Sequence, residues 1–412
     1  MTERLYYHDP FLCEFEGEIT EVVPSAEING RHGVFLDRTA FYPTSGGQVH
    51  DTGWMTAKQG ASSTRLRVSE VVETEDGRVV HYIEADKPPE RGTLIRGSIN
   101  PERRRDHMQQ HSGQHVLSAA FVRLFNIPTV SFHMGDDYCS IDLDAPNLTA
   151  EQVKEAEELA NLVVQENRPV EIKFATQDEA QNLGLRKPPR ADKEQLRLID
   201  IHEFDLSACG GTHVKQTGQI GCILLRKMEK VRQGWRVEFV CGQRAVSAAR
   251  HDFTILSEAA ALFSAHIWDV PDQVRKSLGE IRTTRKSVEH LLEEIAELQA
   301  VRLLAEATVQ DGRKTVVQVF TDRDLAFVRL LAQKLTRLES NVVALLVAKS
   351  EQASLVFAQS KGMPFDMGLL IKQVLAKLGG RGGGSKDLAQ GGAPVAEGLE
   401  SVLSEAALSL SA

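Results

Sequence analysis

Cysteine is scarce in this sequence, with five residues among 412. The five are scattered and odd in number, so they cannot form the disulfide framework that stabilises small secreted domains. This scarcity excludes that class of protein and indicates a reducing compartment. Four of them have no metal-binding partner nearby in the sequence and are predicted to be buried core thiols, namely Cys13, Cys139, Cys222 and Cys241.

Long apolar segments are also missing. No uncharged apolar run approaches the roughly 18 residues that a membrane-spanning helix needs. The N-terminal segment MTERLYYHDP lacks the apolar core of a signal peptide. We therefore expect a soluble cytoplasmic protein that has no membrane partner.

The chain has no excess of positive charge, since 48 Lys and Arg face 57 Asp and Glu, for a net charge of −9. This balance argues against a nucleic-acid partner, but binding depends on where the cations lie, which a total charge does not show. With 42% hydrophobic and 25% charged residues, the composition is that of globular proteins. The length exceeds what one compact core usually holds, so we expect two to four domains.

The residue patterns indicate a multidomain α+β protein. Short alternating runs separated by glycine, proline and Asp-Gly favour a barrel at the N-terminus, and apolar residues at helical spacing, interrupted at Pro271, favour a helical hairpin later in the chain. We predict four segments: a small β-barrel with a glycine-rich loop at 1–99, an α+β unit at 100–242, a helical hairpin or coiled-coil arm at 243–310, and a C-terminal α/β domain at 311–412.

Two helices in the second segment can be placed more closely. Good helix formers and a single glycine predict a helix from Pro101 to Phe125. A second helix is expected to begin after Thr149, which can form a capping box with Gln152. The later run LRLIDIHEF predicts a strand. In the C-terminal domain a further helix is expected from Leu325 to Leu338.

Histidine and cysteine in two places form a candidate metal site. His111 and His115 are four residues apart in the first helix, so they project from one face and can bind the same ion. Cys209 and His213 flank two glycines and a threonine in ACGGTHV, and glycine lets the backbone turn tightly enough for both side chains to face one point. One sulfur and three nitrogen ligands suit a single Zn²⁺ rather than Ca²⁺ or Mg²⁺. His107, one turn earlier on the helix, is either a further ligand or an outer contact.

Four protein ligands would complete a tetrahedral site, and closed sites of this kind are usually structural. A catalytic role requires that one ligand be displaced, that coordination expand to five, or that the ion only anchor the substrate. The ligand count leaves these alternatives open.

Four motifs carry a family resemblance. QQHSGQHVLS is followed further along the chain by DLSACGGTHVKQTGQIG, FYPTSGGQVHDTG precedes both, and GGRGGGSKDLAQGG lies near the C-terminus. In order and spacing they resemble the editing and C-terminal domains of alanyl-tRNA synthetase and the freestanding AlaX relatives of that enzyme. The resemblance covers nearly the whole chain and leaves no room for an aminoacylation domain, so we expect the large AlaX form.

The resemblance implies trans-editing, in which tRNA(Ala) mischarged with serine or glycine is hydrolysed and Ala-tRNA(Ala) is spared. Such an activity is needed because a pocket for a small apolar side chain rejects an added hydroxyl only about a hundredfold. It further implies that His111, His115, Cys209 and His213 bind one zinc per chain and act in catalysis through the metal.

Recognition of serine needs a polar group that pairs with its hydroxyl. The resemblance and the motifs together suggest Ser112 in the helix and Gln48 in the glycine-rich loop, with Gly46 and Gly47 beside it. A mere tight turn is the alternative interpretation of that loop. Where many synthetases carry glutamine in the strand after the helix, this chain offers His133, which we take as a further candidate substrate contact.

Two runs of positive charge suit a tRNA partner. Residues 215–236 hold six cations and one acid (6 − 1 = +5), and residues 361–386 hold five cations and one acid (5 − 1 = +4). From the second run we predict Lys377, Arg381 and Lys386 as tRNA contacts. The glycines there would let an RNA backbone or another subunit approach closely. A homodimer through this domain or through the helical arm is therefore a second hypothesis.

Two other functions stay open. One is a non-catalytic tRNA-binding protein with a structural zinc. The other is a DHH-type phosphoesterase, because such enzymes can carry a similar glycine-rich C-terminal domain. The second is disfavoured because Asp106-His107-Met108 is not the motif of those enzymes and no carboxylate cluster for two metals accompanies it.

Overall fold

The computed structural model describes residues 2–24, 31–59, 62–186, 195–394 and 398–410. The chain forms two compact units, Met1–Glu258 and Ala259–Ala412. Each combines helices with sheets, which confirms the multidomain α+β class. The finer division into four segments stays a prediction. None of the helices in the described ranges is long and apolar enough to cross a membrane.

A closed six-stranded β-barrel opens the first unit, as the alternating runs predict. Its strands, in chain order, are β2 (Glu14–Pro24), β3 (Arg31–Leu36), β5 (Gly53–Gln59), β6 (Ser62–Glu73), β7 (Val79–Glu84) and β8 (Leu94–Ile99), while β1 (Glu3–Arg4) and β4 (Arg38–Thr39) form a separate parallel pair. Alternate side chains of these strands, such as Val34, Val68 and Ile83, fill the barrel core. Strand β5 was not predicted, because GWMTAKQ contains few of the β-branched and aromatic residues that strands favour.

Helix α1 (Pro101–Phe125) follows the barrel directly and has the predicted bounds. Asn100 caps its first turn, and the proline occupies a first-turn position where no backbone amide is needed. Gly113 lets the helix lie close to a strand of the adjoining sheet, because an added Cβ would come within 2.2 Å of Sγ of Cys241. The helix is therefore buried along most of its length.

A buried ion pair joins α1 to the barrel. The guanidinium of Arg104 donates to both carboxylate oxygens of Asp51 and, at 2.6 Å each, to the carbonyl oxygens of Pro10 and Ala40. Asp51 also accepts from the backbone amide of Tyr42 at 2.7 Å. Both charged side chains are almost completely buried, so each depends on the other for solvation.

We expect Asp51→Asn to lower the free energy of unfolding of the first unit by about 3–5 kcal/mol, since it leaves the Arg104 guanidinium buried without its counter-charge. Urea unfolding followed by circular dichroism measures this. Asp76→Asn, which removes an exposed carboxylate paired with Arg78, is the matched control and should change the unfolding midpoint little. Equal midpoints in the two variants would contradict the prediction.

In the described ranges, the rest of the first unit contains two sheets and three further α-helices, besides short 3-10 helices such as Thr217–Ile220. The sheets have the strand orders β14-β15-β10-β9 and β11-β12-β13. The elements are β9 (Thr129–Met134), β10 (Cys139–Leu143), α2 (Ala150–Gln165), β11 (Val170–Thr176), α3 (Gln177–Gln181), β12 (Gln195–Ile201), β13 (Asp205–Ala208), β14 (Ile223–Val231), β15 (Gly234–Cys241) and α4 (Gly242–Leu262), the last of which extends past the boundary of the unit.

Two predictions for this region have different outcomes. The capping box of Thr149 and Gln152 is present at the start of α2, as expected. LRLIDIHEF is not one strand, because the chain reverses between β12 and β13 at a turn where Glu203 has a φ of +53°. The sequence there has no glycine or asparagine to mark the turn, yet the reversal is what returns the chain towards α1.

All five cysteines are free thiols. Cys139 and Cys241 are fully buried, as predicted. Cys13 and Cys222 are only partly buried, so the prediction of core thiols is wrong for these two. Burial raises the pKa of Cys139 to about 12, so this thiol stays protonated near neutral pH.

The second unit is built on a six-stranded sheet with the order β16-β17-β18-β19-β21-β20, in which only β17 and β18 run parallel. Helix α6 has the predicted bounds, whereas α8 was not predicted. The elements are α5 (Val270–Glu306), β16 (Val309–Gln310), β17 (Arg313–Phe320), α6 (Leu325–Leu338), β18 (Val342–Lys349), β19 (Gln352–Gln359), α7 (Met367–Lys377), β20 (Arg381–Gly384), β21 (Leu388–Pro394) and α8 (Leu399–Ser409).

The glycines of β20 serve packing inside the unit. An added Cβ would lie 2.5 Å from the backbone of β21 at Gly382 and 2.4 Å at Gly384. At Gly383, which points the other way, it would meet only the Lys372 side chain, at 3.4 Å. Close approach of the hairpin strands therefore accounts for two of the three glycines.

Candidate metal centre

The structure brings together the four residues predicted to bind metal. The Nε2 atoms of His111 and His213 lie 3.4 and 3.3 Å from Sγ of Cys209. With His115 included, the four ligand atoms are all within 4.8 Å of one another. Among the residues that the structure describes, no other group of three or more His, Cys, Asp or Glu side chains converges in this way. His107 is not part of the group.

His111 is oriented by the glycine-rich loop of the barrel. Its Nδ1–H donates to Oε1 of Gln48 at 2.7 Å. The same oxygen accepts from the backbone amide of Thr212 at 3.1 Å, and Nε2 of Gln48 donates to the Thr212 hydroxyl at 2.9 Å. Because Nδ1 carries the proton, Nε2 keeps its lone pair for a metal.

His115 is oriented by a carboxylate. Its Nδ1–H donates to Oδ2 of Asp205 at 3.1 Å. Arg186 donates to Oδ1 of Asp205 at 2.6 Å, and the Ser207 hydroxyl donates to the same carboxylate. Burial would raise the pKa of Asp205, but its bonds to His115 and Arg186 hold that pKa well below the usual range. A negative charge thus faces the imidazole at neutral pH.

The third imidazole is oriented by a hydroxyl. Nδ1 of His213 lies 3.3 Å from Oγ of Ser112, which also accepts from the backbone amide of Val214 at 3.1 Å. Burial lowers the pKa of His213 to about 3, so the ring is neutral at physiological pH. A neutral imidazole is the form that binds a metal.

Cys209 is poised as a thiolate. Burial would raise the pKa of its thiol, but the imidazoles of His111 and His213 hold it well below the usual value. The turn that carries it is fixed by Arg197, which donates to the carbonyl oxygens of Cys209 and Gly211 at 2.8 and 2.9 Å. Position 211 must be glycine, because an added Cβ would lie 2.1 Å from the His111 ring.

These contacts fit a zinc ion. Each imidazole binds a protein group through Nδ1 and directs Nε2 towards the thiolate, which is the arrangement that holds metal-ligating histidines in place. The donor set of one sulfur and three nitrogens suits Zn²⁺.

We expect Asp205→Asn to weaken zinc binding about 10- to 100-fold, because the carboxylate that orients His115 is lost. Competition with a chromophoric chelator measures the dissociation constant, and circular dichroism checks that the variant is folded. Asp200→Asn is the control, since Asp200 pairs with Lys173 at the surface. An unchanged constant in folded Asp205→Asn protein would show that this carboxylate is not needed to hold the ligand.

The glycine-rich loop forms a two-residue turn beside the cluster. Ser45 and Gln48 pair across it, and Gly46 and Gly47 have φ values of +59° and +86°, as a type I′ turn requires. An added Cβ at Gly47 would lie 2.6 Å from the carbonyl oxygen of Phe132. Both glycines are exposed and, among the described residues, their amides have no acceptor.

The strand after α1 presents Phe132, and not His133, to the cluster. The Phe132 ring stacks on His111 with centroids 5.4 Å apart. Successive side chains of a strand face opposite sides, so His133 points away and is exposed.

The predicted tRNA contacts lie in the second unit. Lys377 pairs with Glu405 at 2.7 Å, whereas Arg381 and Lys386 are exposed and have no acidic partner among the described residues. In the other basic run three cations pair with acids: Arg226 with Asp252, Lys227 with Glu229, and Arg236 with Asp142. Two of these acids lie outside the run, so its net charge overstated the cations available to RNA.

Sequence reasoning did not identify Asp205, Thr212 or Arg197. Each acts through tertiary contacts, and a lone Asp, Thr or Arg in a strand or turn carries no spacing signal. The motif DLSACGGTHV contained two of them, but only the cysteine and the histidine in it had a recognisable metal-binding pattern.

Three family models match this chain. The model described as "tRNA synthetases class II (A)" matches residues 2–103. The "Threonyl and Alanyl tRNA synthetase second additional domain" matches residues 196–237, which include half of the metal cluster. The "DHHA1 domain" matches residues 311–411, within the second unit.

Curated proteins match over nearly the whole chain. The alanyl-tRNA editing protein AlaX-L of Pyrococcus horikoshii is 31% identical over 394 residues, which are 95% of this chain and 94% of that protein. The alanine–tRNA ligases of Archaeoglobus fulgidus and Pyrococcus furiosus are 34% and 32% identical, and the alignments cover 95% of this chain but 42% of each ligase. This chain thus spans less than half the length of the ligases.

A solved structure, the C-Ala domain from Aquifex aeolicus alanyl-tRNA synthetase, is 26% identical and covers 25% of this chain and 91% of its own. Its TM-score of 0.22 is too low for a comparison of folds.

Proposed function

The chain belongs to the family of alanyl-tRNA editing proteins of the AlaX-L type, and from this membership we propose that it hydrolyses the ester bond of tRNA(Ala) mischarged with serine or glycine. The observation that supports this most is the convergence of three imidazoles and a thiolate beside an exposed glycine turn. Free thiols throughout the chain fit the reducing cytoplasm, where we place the activity.

We propose that the cluster holds one zinc per chain. Zinc, when bound, polarises a carbonyl and lowers the pKa of a water molecule. The chain's own residues do the rest. Gln48, Asp205 and Ser112 keep the ligands in place, and the free amides of Gly46 and Gly47 are suited to donate to the negative oxygen that develops during ester hydrolysis.

The predicted substrate contacts differ in the support that they receive. Gly46 and Gly47 are the best supported of these contacts, because their backbone is exposed beside the metal cluster. Gln48 is fully buried and uses its oxygen and one amide hydrogen within the protein, which leaves one N–H for a serine hydroxyl. The Ser112 hydroxyl is occupied by His213 and Val214, and we propose that its main role is to hold the metal ligand.

We further propose that the exposed cations of the second unit bind the tRNA body. Arg381 and Lys386 are free of acids in the described part of the chain, and so are Lys361 and Lys372. Lys377 is a weaker candidate because Glu405 already neutralises it.

Release of labelled serine from Ser-tRNA(Ala) tests the deacylase proposal. The zinc-loaded protein should release serine and spare Ala-tRNA(Ala), and a chelator should abolish release. Gly-tRNA(Ala) in the same assay measures tolerance for glycine. Tight binding of tRNA without any release would instead support the alternative of a tRNA-binding protein with a structural zinc, which the complete set of four ligands favours.

We propose that α5 mediates a homodimer. A row of apolar side chains at seven-residue spacing is exposed along it, consisting of Val274, Ile281, Val288 and Ile295. Heptad rows of this kind associate as coiled coils. Its other side is occupied near the C-terminal end, where Ala296 and Ala300 belong to the core formed with α6.

Paired substitution Ile281→Glu with Val288→Glu should therefore weaken the dimer at least about tenfold, since two charges would be buried at the seam. Sedimentation equilibrium measures this. Lys286→Glu, an exposed position outside the row, is the control. A wild-type protein that is monomeric at tens of micromolar would refute the proposal.

A further inference from the structure

Helix α1 carries two further polar side chains, Arg103 and His107, on the N-terminal side of the metal ligands. Arg103, His107, His111 and His115 are each four residues apart, so they follow one another along one side of the helix at intervals of about 6 Å. Arg103 thus stands about 12 Å from His111 along the helix axis, by eight residues at 1.5 Å each.

The glycine-rich loop follows the same line. Gln48 accepts from His111 at one point, and two residues later the carbonyl oxygen of His50 accepts from Nε of Arg103 at 3.0 Å. The exposed Gly46 and Gly47 precede these contacts. The loop and the helix therefore border a common strip that runs from the metal cluster to Arg103.

Arg103 is the one arginine of this strip without a carboxylate among the described residues. Arg104 pairs with Asp51, and Arg244 pairs with Asp106. Arg103 is half-buried, and among the described residues only Nε of its guanidinium donates a hydrogen bond. An uncompensated guanidinium at the start of a helix, where the helix dipole is positive, attracts an anion.

His107 lies between Arg103 and the metal cluster and has an unused polar atom. Its side chain is 1% exposed, and Nδ1 has no hydrogen-bond partner. Burial and the guanidinium groups of Arg103 and Arg244 lower its pKa to about 3, so the ring is neutral and has one N–H to donate. A buried polar atom without a partner is costly, and a bound group that completes the hydrogen bond is one explanation for it.

We infer that Arg103 and His107 form a subsite for the phosphate group at the 5′ side of the terminal nucleotide of the substrate tRNA. This inference rests on the proposed deacylase function, which places the ester at the metal cluster. A single nucleotide separates the ester oxygen from that phosphate, and one to two helical turns separate the cluster from this subsite. The planar guanidinium and the imidazole N–H are both donors to phosphate oxygens.

Two small substrates isolate the phosphate. 3′-Seryl-adenosine lacks it, and 3′-seryl-adenosine 5′-monophosphate has it. For the wild-type protein, kcat/KM should be about 10- to 100-fold higher for the monophosphate, as for a charge-assisted hydrogen bond, and the gain should lie mainly in KM. Arg103→Gln should reduce this ratio to near one. Arg105→Gln, an exposed arginine two residues further along the helix, is the control and should keep the ratio.

Two variants test His107 separately. His107→Asn keeps a donor near the position of Nδ1 and should retain most of the ratio. His107→Leu removes the donor and should lower it. Binding of adenosine 5′-monophosphate compared with adenosine, measured by calorimetry, should show the same order of variants without any turnover.

The outcomes separate this inference from the proposed function. Hydrolysis of both compounds with a wild-type ratio near one, or a ratio that Arg103→Gln leaves intact, would overturn the phosphate subsite and leave the deacylase proposal standing. Failure to hydrolyse either compound or full-length mischarged tRNA would overturn the deacylase proposal and the subsite with it.

Discussion

Cys209→Ala is expected to lose most of its zinc and to release serine from mischarged tRNA(Ala) on the order of a thousandfold more slowly. The reason is that three imidazoles form a weaker site than three imidazoles and a thiolate. Metal analysis and single-turnover deacylation measure the two effects. Cys222→Ala is the matched control, because this partly buried thiol lies outside the cluster.

A full equivalent of zinc in Cys209→Ala, together with serine release at the wild-type rate, would contradict the assignment of Cys209 as a ligand. Loss of soluble protein, with normal activity in the fraction that stays soluble, would favour a structural zinc instead. Removal of zinc from the wild-type protein with a chelator distinguishes the same alternatives. If the zinc is structural, the protein should unfold. If the zinc is catalytic, the protein should stay folded and mainly lose activity.

A chain that ends at Glu258 is expected to fold and to keep the hydrolytic step, but to bind tRNA about 10- to 100-fold more weakly at physiological salt. The first unit contains every metal ligand and its own core. The second unit contains the four exposed cations that we assign to tRNA. Losing their phosphate contacts should lower the slope of log affinity against log salt by roughly one unit for each contact.

Serine release at limiting and saturating tRNA measures the two effects of this truncation. A full-length variant with Arg381→Gln and Lys386→Gln should reproduce part of the loss in affinity. Non-cognate tRNA carrying serine, compared with mischarged tRNA(Ala), tests whether the second unit also supplies preference for tRNA(Ala). Equal affinity and equal salt slope in the truncated chain would refute a tRNA-binding role for this unit.

The metal ligands could be predicted from sequence because their chemistry has a local spacing. His111 and His115 share a helix face, and Cys209 and His213 share one tight turn. The groups that orient them have no such spacing, since Asp205 meets His115 only after the chain reverses between β12 and β13.

The cations available to RNA were harder to predict from sequence than the bounds of the helices. Helices with clear caps and apolar spacing have the expected bounds, as α1 and α6 show. In the basic run 215–236, two arginines form ion pairs with Asp142 and Asp252, which lie outside the run in sequence. A sum over a segment cannot include partners that only the fold supplies.

The groups that form and orient the metal cluster are far apart along the chain, so the ribosome makes them at different times. Gln48 and His213 are 165 positions apart (213 − 48 = 165). At about 5–20 residues per second, a ribosome needs roughly 8–33 s to make that interval. Until Cys209 and His213 emerge, a nascent chain offers only the two helix histidines and holds zinc weakly. The proposed zinc site can therefore be completed only after residue 213 has left the ribosome.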